Sequence, residues 1–399
     1  AEAVARASYG KLVAFIAARS GDVAGAEDAL SDAFTAALAD WPVRGVPNNP
    51  QAWLLTVARR KRIDAARRAR TSVDAGAHLQ LLAGEMAVET EADIPDERLA
   101  LMFVCAHPAI DPAVRAPLML QTVLGLDAAT IASAFLTAPA AMGQRLVRAK
   151  GRIKLAAIPF RLPDRVDLPD RLEAVLTAIY ATFSSGWTDP GGTELSPRDL
   201  AREAIWLGRL VVALLPEETL GLLALMLYAE ARRTGRRTQH GDYVPLDEQA
   251  VESWDATMIA QAEGLLLRAS ALGRIGRFQL EAAIQSAHVI RRRTGRPDWK
   301  AIVLLYDLLA ALTSSPVVAI NRAIAVAETA DAAAGLRALD AIADDPRLAA
   351  YQPYWAARAV LLGGTGQIMR ARAAYQRAIG LEADPAVRRF LARRMDALT

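Results

Sequence analysis

The sequence is poor in the residues that build disulfides and metal sites, with one cysteine, Cys105, and four histidines in 399 residues. A single Cys excludes a disulfide framework and any zinc site made of cysteine pairs, and four scattered His leave little for a histidine cluster. Cys105-Ala106-His107-Pro108 therefore reads as core and helix ending rather than as nucleophile or metal chemistry. Aromatic residues are scarce at 6%, while Ala and Leu dominate. That balance favours helix and argues against a sandwich or barrel. Long apolar runs are missing as well. None exceeds the length of 222–229, which falls far short of the roughly 20 residues a bilayer span needs. No signal-peptide pattern, P-loop, dinucleotide fingerprint or nucleophile elbow occurs. The expectation is a cytoplasmic protein that is not an enzyme, has no cofactor, no metal and no catalytic residues, and meets no membrane.

What is present is core material and unevenly placed charge. Hydrophobic residues make up 53% of the chain, enough for a large core, and the length favours two or three domains. The net charge of +3 conceals four blocks. Residues 20–41 carry Asp22, Glu27, Asp28, Asp32 and Asp40 with no base, and 44–70 carry eight bases against Asp64 alone. Residues 85–97 hold six acids and no base, and 138–161 hold six bases and no acid. Two basic blocks on one chain can touch one polyanion at two places. Two solvated helix faces are the alternative reading.

Apolar periodicity predicts two helices over 8–39, split at Ser20-Gly21-Asp22. The first turns Leu12, Val13, Phe15 and Ile16 inward. The second carries Ala26, Leu30, Ala33, Phe34, Ala37 and Leu38 at helical spacing. Its Asp28 and Asp32, four apart, share one exposed face. Trp41-Pro42 is expected to end it, and a Pro-, Gly- and Asn-rich loop over 43–50 leads to a helix from Gln51 with a dense Arg/Lys surface. Residues 71–95 read as a linker with a short helical stretch at 78–82. Helices follow at about 96–106, 112–123, 127–135 and 139–154; the short turn between the last two, the second one basic, is a helix-turn-helix pattern. Beyond Pro159 the chain reads as helix pairs. Trp355, Ala371, Tyr375 and Ala378 fall at tetratricopeptide spacings. The expected fold is all-α, in segments 1–70, 71–95, 96–160 and 161–399.

These phrases carry a resemblance. Ala26-Glu27-Asp28-Ala29-Leu30-Ser31-Asp32-Ala33-Phe34, then Trp41-Pro42, Ala52-Trp53-Leu54, Val57-Ala58-Arg59-Arg60 and Ile63-Asp64 resemble region 2 of bacterial RNA polymerase sigma factors of the extracytoplasmic-function (ECF) group. Ile131-Ala132-Ser133-Ala134-Phe135-Leu136 followed by Gln144-Arg145-Leu146-Val147-Arg148-Ala149-Lys150 resembles the helix-turn-helix of region 4. The remainder, including Ser315-Pro316-Val317-Val318-Ala319-Ile320-Asn321-Arg322-Ala323, is similar to the long tetratricopeptide-like extension of one ECF subgroup.

The resemblance implies a sigma factor that binds core RNA polymerase, through the β′ clamp helices and the β subunit, and recognises promoter DNA at −35 and −10 elements. Asp28 and Asp32 would dock on the polymerase, with a solvated face as the rival reading. The −10 strand would meet Asn48, Asn49 and Gln51, where helix capping is the rival reading, and the phosphate track Arg59, Arg60, Lys61, Arg62, Arg67 and Arg68. Gln144, Arg145, Arg148 and Arg152 would face the −35 element. Ala141 stands where the family often has Thr, and Gly143 interrupts the helix at a cost of about 1 kcal/mol against Ala. The C-terminal extension would regulate activity through an unidentified ligand or protein. A helix-turn-helix regulator that works without polymerase, with a helical sensor domain, is the alternative.

Overall fold

A computed structural model describes residues 2–69, 96–135, 137–164, 166–187 and 195–398; the expected linker 71–95, with its short helix, lies outside them. The chain is all-α. Among the described residues the only β pairing is an isolated bridge between Arg237 and Tyr243. The chain forms two compact units, Ala1–Thr182 and Phe183–Thr399.

The first unit begins with α1 (Glu2–Ser20), α2 (Val23–Arg44) and α3 (Pro50–Ala69). Gly21 makes the first turn with φ 63°. Asp22 then caps α2, its carboxylate accepting from the Gly25 N–H at 3.0 Å. The inward stripe of α2 is Val23, Ala26, Ala29, Leu30, Ala33, Ala37 and Trp41. Two expectations fail here. Trp41-Pro42 does not end the helix, which runs to Arg44 and stops at Gly45, whose N–H returns to the Trp41 carbonyl at φ 84°. Pro42 forfeits one hydrogen bond but stands within a turn of the end, so the helix tolerates it. Leu38 was expected inward and is 63% exposed. It follows Ala37 by one residue, and the 100° step carries it off the buried stripe.

Four further helices complete this unit: α4 (Arg98–Cys105), α5 (Pro112–Leu124), α6 (Ala128–Ala134) and α7 (Pro139–Leu155). All lie within about two residues of the predicted bounds. Asp111 and Asp127 cap α5 and α6 through backbone N–H groups two residues on. Helix α4 buries everything from Ala100 to Cys105. The Cys105 thiol sits 3.5 Å from Thr122 Oγ1, and burial pushes its pKa up to about 12. His107 Nδ1 accepts from the Ala109 N–H at 3.1 Å. Both residues are accounted for by packing and a turn.

Helix α1 is the shared element. Leu12, Val13, Ala14, Phe15, Ile16 and Ala17 are all buried, because α1 packs against α2 and α3 on one side and α4 and α5 on the other. At Gly10 the α1–α5 crossing is so tight that a Cβ would stand 1.7 Å from the Val123 carbonyl oxygen. Tyr9 packs over Gly125, which ends α5 in the left-handed region.

The second unit continues with α8 (Leu168–Trp187, which spans the division between the units), α9 (Leu195–Leu214), α10 (Pro216–Ala231), α11 (Ala256–Ala271), α12 (Arg277–Val289) and the single turn α13 (Arg291–Thr294). Helices α14 (Trp299–Leu312), α15 (Pro316–Thr329), α16 (Ala332–Asp340), α17 (Gln352–Gly364), α18 (Ile368–Leu381) and α19 (Pro385–Asp396) follow. The apolar run 222–229 lies in α10, buried on all sides by α9, α11 and α12. From α14 on, each helix packs chiefly on its chain neighbours. Among the described residues no helix is long and apolar enough to cross a membrane.

The α1–α5 crossing yields the first test. Gly10→Ala sets a methyl group into backbone and cannot be absorbed by a side-chain rotation, so a loss of about 3 kcal/mol, the upper end for overpacking, is expected. Denaturant titration of the full chain measures it.

Candidate nucleic-acid interface

The expected contact residues fall on three elements of the first unit. On α2, Asp28 and Asp32 are exposed one turn apart. Neither has an ion-pair partner among the described residues, so a partner surface would find both carboxylates free.

Between α2 and α3, Asn48 is exposed. The Asn49 side chain accepts from the Ala52 N–H at 3.0 Å, capping α3, and the residue is exposed. Gln51 donates from Nε2 to Ser8 Oγ at 2.9 Å, which ties α3 to α1. Trp53 is half-buried, edge-on to Trp41 with ring centres 5.5 Å apart. Along α3, Arg60 and Lys61 are exposed, whereas Arg59 and Arg62 are partly covered. The Arg59 guanidinium sits 5.7 Å from the Phe15 ring centre. Arg67 and Arg68 lie in the last turns of the helix, and their side chains are outside the described residues.

Helix α7 sorts its charges by face. Met142, Leu146, Ala149 and Ile153 are buried. Gln144, Arg145, Arg148 and Arg152 are all exposed. The three arginines recur at spacings of three and four, so they line one stripe. That stripe can meet phosphates or guanine edges.

A third face of α7 escaped the sequence reading. Lys150 Nζ lies 2.6 Å from Glu27 Oε2, with both side chains nearly covered at 13% and 12% exposure. One turn on, Lys154 Nζ lies 2.6 Å from Asp22 Oδ2, but Lys154 remains 66% exposed. Burial pushes the Glu27 carboxyl above its ordinary range, only partly offset by Lys150. Burial would also raise Asp22, yet the hydrogen bonds from Lys154 and the Gly25 N–H hold it below its ordinary value. The Tyr9 hydroxyl is driven upward by burial and by Glu27 and Asp28 nearby. The one signal in the sequence was the four-residue interval from Lys150 to Lys154, which matches a single helix face but names no partner.

Comparison with known proteins adds the following. The sigma-70 region 2 family matches residues 4–71, a span that coincides with α1–α3. A family of unknown function (DUF6596) matches residues 171–270. The uncharacterized protein R00370 of Rhizobium meliloti (strain 1021) is 37% identical over 381 residues, which cover 94% of this chain and 90% of that protein. No solved structure matches the chain.

The two lysines of α7 are expected to differ sharply. Lys150→Ala strands a buried carboxylate and should cost about 3 kcal/mol. Lys154→Ala removes an exposed pair and should cost under about 1 kcal/mol. Gly143 has open space where a Cβ would stand, so Gly143→Ala should add about 1 kcal/mol. Thermal and denaturant unfolding of the three variants decide all three values.

Proposed function

We propose that this chain, which belongs to the same family as the Rhizobium meliloti protein R00370 and matches sigma-70 region 2 over its first three helices, is an ECF-type sigma factor. The region 2 match, which supports a sigma-factor-like role in transcription initiation, is the observation that carries the reading. The two exposed carboxylates of α2 dock on the basic β′ clamp helices of core polymerase and speed the encounter electrostatically. The loop over 45–49 and the exposed bases of α3 hold the separated −10 strand, where Asn48 and Asn49 meet base edges. The arginine stripe of α7, with Gln144 beside it, enters the major groove at the −35 element, and the β subunit supports that end of the complex. The C-terminal helical unit regulates this activity, and the work is done in the cytoplasm.

The two element names imply a separation of about 25 base pairs, or roughly 85 Å of duplex at ~3.4 Å per base pair. Helices α3 and α7 are joined by packing through α1 and α2. In this reading the α1–α5 crossing and the Glu27–Lys150 pair part before both elements are engaged. The free chain is then a closed state, and binding of polymerase is linked to opening.

The decisive experiment is transcription from promoter DNA by purified core polymerase supplied with the full chain. Asp28→Lys together with Asp32→Lys changes only exposed side chains, so helix content should hold while core association falls at least about tenfold, given the strength of close charge pairs at interfaces. A wild-type chain that neither joins core polymerase nor directs initiation would remove the proposal.

A further inference from the structure

The second unit contains a groove of about 1330 Å³. The segment 243–252 forms one side, and residues of α12 to α19, the turn 295–297 and Arg232 contribute the rest. Much of its wall is apolar and aromatic, with Tyr306, Ile324, Leu361, Tyr375, Val387 and Phe390. One end is different, because Arg232, Gln285, His288 and Arg291 meet there.

Arg232 follows directly on α10 and is only 5% exposed. Its Nε donates to the Tyr228 carbonyl at 3.2 Å. Its Nη2 donates to Gln285 Oε1. Its buried Nη1 has no hydrogen-bond partner among the described residues. Both acceptors are neutral, so they answer the geometry of the guanidinium but not its charge. The charged groups that act on it are Arg236 and Arg291, both cations. Burial and these two cations lower its pKa to about 10.

The neighbouring groups do not supply the missing anion. Arg291 donates to the carbonyls of Asp247 and Gln249, and the Asp247 and Glu252 carboxylates favour its charge rather than that of Arg232. Arg232 and Arg291 stand 5.9 Å and 4.8 Å from the centre of the Trp254 ring system, a favourable contact that leaves both charges positive. His288 packs edge-on to Trp299 at 5.2 Å. Burial and the same two guanidiniums hold its pKa near 4, so it stays neutral at pH 7. A buried charge is expensive unless an opposite charge accompanies it. The protein provides none for Arg232 among its described residues.

We propose that the groove binds a small organic acid, its carboxylate paired with Arg232 Nη1 once the groups that cover this nitrogen move aside, and its apolar body laid along the aromatic wall. A monoanion fits better than a phosphate dianion, because a single guanidinium nitrogen is free and the adjacent imidazole is neutral. This site stands apart from the reading of the first unit and holds whether or not the chain initiates transcription.

Calorimetric titration of the full chain with benzoate, benzyl alcohol, benzylamine and octanoate tests it. Benzoate or octanoate should bind saturably, and the acid should bind at least about tenfold tighter than the alcohol or amine, as expected for a charge-assisted pair in a buried site. Gln285→Glu is the key variant. It places a carboxylate where Arg232 already donates, so the chain should remain folded while acid affinity falls about tenfold or more. Arg232→Met should abolish the preference for acid over alcohol. The proposal is overturned if neither acid binds saturably at millimolar concentration, if acid and alcohol bind alike, or if folded Gln285→Glu binds the acids as wild type does.

Discussion

The first unit depends on α1 being enclosed. Six consecutive buried residues, from Leu12 to Ala17, leave this helix no polar face along its middle. A helix apolar all round is stable only when surrounded. Here α2 and α3 cover one side, and α4 and α5 the other. The missing Cβ of Gly10 permits the close crossing with α5. Segments separated by a long stretch of chain are thereby packed into one body, and the Glu27–Lys150 pair locks a second contact between them.

That enclosure divides the charge blocks. The five acids over 20–41 have different fates. Asp22 caps a helix and pairs with Lys154, Glu27 is buried against Lys150, Asp28 and Asp32 face water, and Asp40 pairs with Arg44 one turn on at 3.2 Å. The six bases over 138–161 divide in the same way. Arg145, Arg148 and Arg152 stay exposed, Lys150 and Lys154 turn back onto α2, and Arg161 stands 4.0 Å from Asp164. Arginine on the open face and lysine on the closed one suits their chemistry. A guanidinium presents a planar fork to phosphate or guanine, whereas an ammonium is a compact charge that a single carboxylate can satisfy.

The second unit rests on a different logic. Helix α10 supplies a fully apolar core at its start, and the later helices add to it mostly neighbour by neighbour. Such a stack tolerates a groove along its length, because no single helix has to fill the interior. Polar groups inside it are then conspicuous. Arg232 keeps its hydrogen bonds to Tyr228 and Gln285, and among the described residues no carboxylate stands beside it.

Much was legible from local signals. Helix caps such as Asp22, Asp111 and Asp127, the first-turn prolines Pro112 and Pro139, and the apolar spacing of α2 and α7 act within about one turn. They set the helices, the all-α class and the exposure of Asp28, Asp32, Arg145 and Arg148 without help from distant residues. Leu38 and the end of α2 slipped because each turned on a single step of the helix. Burial of Glu27 against Lys150 joins residues 123 apart in the chain, and the Arg232 cluster gathers residues from several helices. No local period encodes such meetings. Sequence determined where helices form and which faces are apolar; tertiary structure decided which charges lose their water, because desolvation depends on whatever the rest of the chain brings alongside.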